Sequence, residues 1–288
     1  MHLLIQKSGM KMNNITKKKN FNSYVVIGII LLIIPMVVSI IGSVMSSHDP
    51  LETDALNKLQ KPCTTYLMGT DDVGRDIFTR VTIGIRVSLL IGLSVTIIST
   101  ILGMCIGIIS AYYKNTEKIL MRIVDGIMAF PSIILAIVLA GILGAGTKNI
   151  IVALSVSYIP TLARVTRNAT LEVLSKEYVE SAVVLGKSDS YIIFNYIIPN
   201  ILSQVIVQIT YTFAMAILHE SILSFLGVGI KVPTPSLGGM VNDGRNYISI
   251  APWIITFPGL TISWIVLALN MVGDGLSEWL NPRKKNRG

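Results

Sequence analysis

Apolar residues run in six long blocks, at about 24–45, 85–112, 119–141, 149–166, 201–226 and 252–274, with charged residues gathered between them. A helix of about 20 apolar residues crosses a ~30 Å hydrocarbon core, so each block predicts a membrane span. The fourth is short and carries Pro160 near its middle. One polar stretch, 177–199 (EYVESAVVLGKSDSYIIFNYIIP), does not read as a spacer. Leu171, Leu174, Tyr178, Val179, Ala182 and Leu185 recur at three- and four-residue spacing, which puts them on one face of a predicted helix. Glu172, Lys176, Glu177 and Glu180 fall largely on the other face. Gly186 predicts the end of that helix, Ser188-Asp189 the start of a second, and Pro199 the return to apolar sequence. A helix–Gly–helix element held outside the bilayer implies something there to grip.

Composition agrees with an all-α polytopic membrane protein. The 288 residues are 52% hydrophobic and 14% charged, where a soluble chain carries about 25% charge. The net charge of +8 reads as loop charge rather than a nucleic-acid surface. With the N-terminus inside, 16 of the 24 Lys and Arg residues fall on the inner side, which predicts cytoplasmic termini and a cytoplasmic 177–199 element. The basic start before residue 24 is followed by an apolar run longer than a signal peptide's, so the first span is expected to be retained. Cys63 and Cys105 sit in unlike settings and suggest neither a disulfide nor a metal site.

Gly186-Lys187-Ser188 mimics the end of a phosphate-binding loop, but Ser181 stands where that loop needs glycine. ATP-driven work is therefore expected of a partner. Glu180-Ser181-Ala182-x3-Gly186-x9-Tyr196-Ile197-Ile198-Pro199 resembles the cytoplasmic coupling loop of ABC importer permeases, E-A-A-x3-G-x9-I-x-L-P. It departs at Ser181, Tyr196 and Ile198, keeping a small residue and two apolar ones. Further stretches resemble the dipeptide, oligopeptide and nickel permease group: Leu67 to Asp76 (LMGTDDVGRD), Glu220 to Gly229 (ESILSFLGVG), Pro233 to Gly238 (PTPSLG), Pro258-Gly259-Leu260 and Asn270 to Leu276 (NMVGDGL). The resemblance is to the second of the two permease subunits and covers roughly 66–282. It implies a transmembrane domain over 66–282 with a coupling loop at 167–199, preceded by a basic tail and first helix in 1–65 and followed by a basic tail at 283–288.

The resemblance also implies a transport subunit without catalytic residues or a bound cofactor of its own. A homologous permease, two ATPase subunits that use ATP and Mg, and an extracytoplasmic binding protein would complete the assembly in a bacterial cell membrane. Tyr178, Val179, Glu180, Ala182, Leu185, Gly186 and Pro199 are the expected ATPase-coupling residues, the apolar face Tyr178, Val179, Ala182 and Leu185 meeting either the ATPase or the permease's own inner surface. His219 and Glu220, ionisable inside the fifth span, are candidates for the substrate path or for bonds to a neighbouring helix. Asp71, Asp72, Arg75 and Asp76 are expected to form an outer docking surface for the binding protein, or else a solvated loop. Asp125 is expected to pair with Arg122, one turn away. Short peptides are the expected cargo, with nickel or a metal–chelator complex as the alternative. An ion-gradient transporter and a non-transporting scaffold are rivals of other classes.

Overall fold

The computed structural model describes residues 23–45 and 49–280, which leaves the basic tails expected at either end outside the described residues. Among the described residues the regular structure is helical, apart from an isolated Thr70–Asp76 bridge. The helices are α1 (Ser23–Met45), α2 (Ile77–Tyr112), α3 (Lys114–Met128), α4 (Ser132–Leu143) and α5 (Thr147–Leu174). They continue with α6 (Glu177–Val184), α7 (Asp189–Ile192), α8 (Ile198–Phe225), α9 (Leu237–Gly244) and α10 (Trp253–Leu280). Five of these segments are long and apolar enough to cross a membrane, and the bent pair α3–α4 would make a sixth.

Three expected spans change shape. The second begins at Ile77 rather than 85, because Asp76 caps the helix: its carboxylate accepts the Thr79 backbone N–H at 3.0 Å. The third is not one straight helix. Pro131 has no N–H to donate, and α3 and α4 meet there at 87°. The fourth runs unbroken from Thr147 to Leu174 through Pro160, which is buried. A proline inside a helix costs about 3 kcal/mol, and here α5 is held by packing against α2, α4 and α8.

That α2–α5 seam is close because two glycines four residues apart leave room for it. A Cβ at Gly103 would lie 2.6 Å from the Leu162 Cβ, and one at Gly107 would lie 2.6 Å from the Ala163 carbonyl oxygen. Small residues at this spacing let helix backbones touch in lipid, where packing rather than water exclusion drives association. Gly107→Ala is therefore expected to force α2 and α5 apart, at a cost of about 1–3 kcal/mol. The check is a lower midpoint for heat-induced aggregation of the detergent-extracted complex; an unchanged midpoint would show that the seam can yield.

The core falls into three regions. One, around Ile77, Ile85, Ile217, Leu237 and Ile254, joins α2, α8, α9 and α10. A second, around Ile91, Ala136, Leu154 and Leu223, joins α2, α4, α5 and α8. The third lies under the 177–199 element. The outward faces of α1, α2 and α4 are aliphatic, with Ile30, Leu90 and Val138 each more than half exposed, as surfaces that face lipid should be.

Between the spans, the Gly- and Pro-rich 227–251 stretch contains α9, whose Leu237 and Met240 are buried in the core. A Cβ at Gly238 would lie 2.0 Å from the Ser221 carbonyl oxygen, so this glycine marks close packing. The 49–76 segment is pinned to the same end of the molecule. Trp253 Nε1–H donates to the Thr70 carbonyl at 3.1 Å, and Thr70 Oγ1–H donates to the Asn57 carbonyl at 2.5 Å.

Candidate functional site

The 177–199 element is built as two short helices around a left-handed turn. The chain breaks after Leu174: Lys176 is extended, and α6 starts afresh at Glu177. The face expected to run unbroken from Leu171 to Leu185 is thus divided between two helices. Within α6, Val179 and Ala182 are buried at 1% and 4% exposure, against Ile108, Ala169, Val173, Ile192 and Ile201. Glu177 and Glu180 lie in the first turn, where carboxylates suit the positive end of the helix.

At the other end of α6, Gly186 takes φ +71°. Its N–H reaches the Val183 carbonyl at 3.0 Å, and the Lys187 N–H reaches Ala182 at 3.2 Å. This paired closure satisfies the last carbonyls of the helix and requires a residue that tolerates positive φ. Ser188 then caps α7 through its Oγ, which accepts the Tyr191 N–H at 3.3 Å.

The return to α8 passes through five residues, Ile193–Ile197, wound as a π-helix. Pro199, the second residue of α8, follows directly on that segment and supplies no N–H to the helix.

The element is tied to the spans at several points. Tyr112 and Tyr113 both donate their hydroxyls to the Asp189 carboxylate, each at 2.9 Å. That bond, and then burial, raise the Tyr113 hydroxyl above its ordinary pKa. Tyr196 packs against Tyr178 at a tilt and against Tyr191 edge-on, each at 5.9 Å between ring centres. The element is therefore fixed in place, and beside its exposed charges it presents large apolar side chains outward: Val183 is 54% exposed, Val184 82%, Leu185 75% and Phe194 68%.

Among the expected coupling residues, Val179 and Ala182 hold the element to the chain's own body, Tyr178 is half shared with Tyr196, and Leu185 points out. Val183 and Val184, on which no expectation was placed, project beside it. The signal available in the sequence was the run Val183-Val184-Leu185, apolar all round at the end of a short amphipathic helix.

Nearby, the Asp125 expectation is corrected. Asp125 accepts from Arg164 Nη2 on α5 at 2.5 Å, not from Arg122. Arg167 pairs with Glu117 in the same way, so two ion pairs join α3 to α5.

The residues expected to dock a binding protein are divided too. Asp71 is 3% exposed; its Oδ2 accepts Arg75 Nε–H at 2.6 Å and lies 3.7 Å from Arg80 Nε. Asp76 is 5% exposed and is spent on the α2 cap. Both therefore work inside the loop, while Asp72 and Arg75 remain partly accessible. Asp243 of α9 lies 3.8 and 3.9 Å from Arg75 and Arg80. Burial raises its carboxyl above the ordinary range, and the two arginines pull it back.

His219 and Glu220 are buried and face different helices. His219 Nδ1 lies 2.7 Å from the Tyr158 hydroxyl of α5, with the two rings nearly parallel. Glu220 accepts from Ser88 of α2 at 2.7 Å and from Ser224 at 2.8 Å. Each has thus found a partner within the chain. Among the described residues no three His, Cys, Asp or Glu side chains are grouped as a metal would need.

With this geometry in view, the likenesses to known proteins converge. The family model described as "Binding-protein-dependent transport system inner membrane component" matches residues 103–286. A Brucella abortus protein named as a peptide transport system permease is 43% identical, over 91% of this chain and 88% of its own. The dipeptide transport system permease protein DppC of Alkalihalophilus pseudofirmus is 37% identical, over 94% and 89%. The oligopeptide transport system permease protein OppC of Bacillus subtilis is 34% identical, over 91% and 86%. Among solved structures, the inward-facing MetNI methionine ABC transporter superposes with a TM-score of 0.59 at 18% identity, over 70% of this chain and 96% of its own, a likeness of fold.

Proposed function

Since the chain belongs to the binding-protein-dependent transport system inner membrane component family, we propose that it forms half of an import path for short peptides and takes its driving force from a separate ATPase at the 177–199 element. It is a multi-pass transport subunit, not an enzyme. The cargo reading rests on relatives named for peptide, dipeptide and oligopeptide transport, each matched along most of its length. The proposed assembly pairs this chain with a homologous permease, two ATPase subunits that bind ATP and Mg, and an external binding protein, with both termini of this chain in the cytoplasm.

The observation that carries the coupling assignment is the apolar tip. Val184 and Leu185 are 82% and 75% exposed at the end of a helix whose opposite side is firmly packed. A segment too polar to span lipid that still presents large apolar side chains is built for a protein pocket. An ATPase groove is the pocket proposed, with Val183, Val184, Leu185 and Phe194 inside it and Gly186 setting the angle of entry. Asp72 and Arg75 are proposed as the part of the outer loop that a binding protein meets.

Gene-dependent uptake tests the cargo. Cells with and without this gene are offered a labelled dipeptide, free nickel and chelated nickel. Uptake of dipeptide that requires the gene supports the reading; gene-dependent nickel uptake alone overturns it.

Variants at Gly186 test the coupling. A Cβ at Gly186 would meet nothing within 4 Å, so the cost of substitution within the chain is conformational. Gly186→Ala is expected to cost about 1–2 kcal/mol for the left-handed turn and to retain part of the uptake. Gly186→Asp suits that turn better than alanine does, yet it sets a charge beside the apolar tip. It is expected to abolish uptake at normal membrane abundance. Normal uptake by the aspartate variant would remove Gly186 from the contact.

A further inference from the structure

The outward faces of most spans are aliphatic, but one strip of α8 is not. Asn200, Gln204, Gln208 and Tyr211 follow one another at intervals of four, four and three residues, which places them along one side of the helix. Asn200 and Gln204 are exposed, Gln208 is half-buried, and Tyr211 is 52% exposed. The strip occupies the half of α8 that adjoins the 177–199 element. Beyond Tyr211 the same line continues as Met215, Leu218 and Ile222, all apolar.

On α5, Thr161, Arg164, Asn168 and Glu172 recur at intervals of three, four and four along one side, none of them buried, with Arg164 paired to Asp125 of α3. The two helices pack together, and Gln204 Nε2–H donates to the Glu172 carboxylate at 3.3 Å, which joins their polar lines at the mouth.

The hydrogen bonds that remain within the chain do not exhaust these groups. Asn200 Nδ2–H returns to the Tyr196 carbonyl at 2.6 Å, and Gln208 Nε2 stands 3.5 Å from Thr212 Oγ1. An amide side chain has two donor hydrogens and an acceptor oxygen, so most of this capacity faces outward. Polar groups turned to lipid are costly, and in membrane helices they face a water-filled cavity or a partner.

We infer that the α5–α8 groove is the water-filled wall of the import path, with Asn200, Gln204, Gln208 and Tyr211 the side chains that a passing peptide touches. This rests on the peptide-import reading above. From Asn200 to Tyr211 the strip carries no charge, only carboxamides and a phenol. Such groups match the alternating donors and acceptors of a peptide backbone whatever its side chains are. A charge at this depth would hold one terminus of the peptide and slow its release. The apolar continuation at Met215, Leu218 and Ile222 closes the groove at its far end.

Thiol accessibility tests the wall. Cys63→Ser and Cys105→Ser remove the chain's own thiols, both exposed. Gln204→Cys, Gln208→Cys and Tyr211→Cys are then made singly, with Leu267→Cys on the exposed apolar side of α10 as the lipid-facing control. The whole transporter is reconstituted in vesicles and treated with a charged, membrane-impermeant methanethiosulfonate. Thiolate forms only where water reaches, so the three strip positions are expected to react at least about tenfold faster than the control. Saturating dipeptide with its binding protein and ATP should slow the reaction at positions 208 and 211.

Three positions keep the test alive if one variant fails to assemble. Rates equal to the Leu267→Cys control, or ready disulfide formation with the second permease and no labelling, would overturn the wall. Uptake of dipeptide by wild-type vesicles is scored separately. Labelled positions in a transporter that moves no peptide would overturn the cargo, while unlabelled positions in one that does would overturn the wall alone.

Discussion

Changing Val184 and Leu185 together to glutamate is expected to abolish uptake while the chain inserts at normal abundance. Both side chains are mostly exposed, so the substitution disturbs no packing within the chain. Burying a valine or leucine side chain fully is worth about 1.5–3 kcal/mol. Losing both, and placing two charges in the pocket, should weaken ATPase capture by at least about 10²-fold. Affinity purification of this chain from membranes would then recover little ATPase. Val179→Glu is the instructive contrast. Val179 is 1% exposed, so a charge there should unseat α6 and lower the amount of protein itself. Normal ATPase recovery with the double variant would mean that the tip faces something else, and the coupling assignment would fall.

Glu220 carries the second large effect. Its carboxylate is fully buried and receives Ser88 of α2 on one oxygen and Ser224 on the other. Ser224 in turn accepts the Ile230 N–H at 3.3 Å, and Gly229 offers its carbonyl to the Gly146 N–H at 3.0 Å. One side chain thus joins α2, α8, the turn after α8 and the start of α5. Glu220→Leu would leave two buried hydroxyls without that partner, at about 1–3 kcal/mol each, and should sharply reduce both the abundance and the heat resistance of the complex. Glu220→Gln keeps the shape and can still bond both serines, so it should come close to wild type in abundance. If Glu220→Gln were instead abundant but inactive, the residue would act on the transported solute and not through packing.

Some of this was legible in the residues and some was not, for reasons that can be named. Gly186 and Pro199 were readable because positive φ and a missing N–H are local properties that a single residue announces. Val183 and Val184 were not, because the chain breaks at Ser175 and restarts the phase of the helix. Spacing picks out the face that Val179 and Ala182 bury, but it carries that face on to Leu185, which lies past the end of α6 and is exposed. Asp71 and Asp76 looked like surface charge, since nothing in a loop sequence distinguishes a solvated carboxylate from one that caps a helix or clasps an arginine. The 233–238 stretch, PTPSLG, stood out only for its resemblance. Its Gly238 is needed where α9 presses on α8, which is a tertiary fact. The polar strip of α8 escaped notice because hydropathy averages around the helix, and four polar residues on one side vanish among the apolar ones on the others.

The π-wound segment Ile193–Ile197 has a consequence for how the two ends of this machinery are kept in phase. Such a segment holds one residue more than an α-helical path of the same course would need. Each residue of an α-helix turns it by about 100°. Held as a bulge, that residue leaves α7 and α8 on one course; wound instead as ordinary α-helix, it would shift everything before it around the axis. The apolar tip would then rotate by about a quarter-turn relative to the carboxamide line on α8. The surplus residue acts as a timing mark. It sets how the tip at Val184 and Leu185 is turned relative to Gln204 and Gln208, and on the coupling proposed above it would decide whether a push there opens the groove or merely twists it.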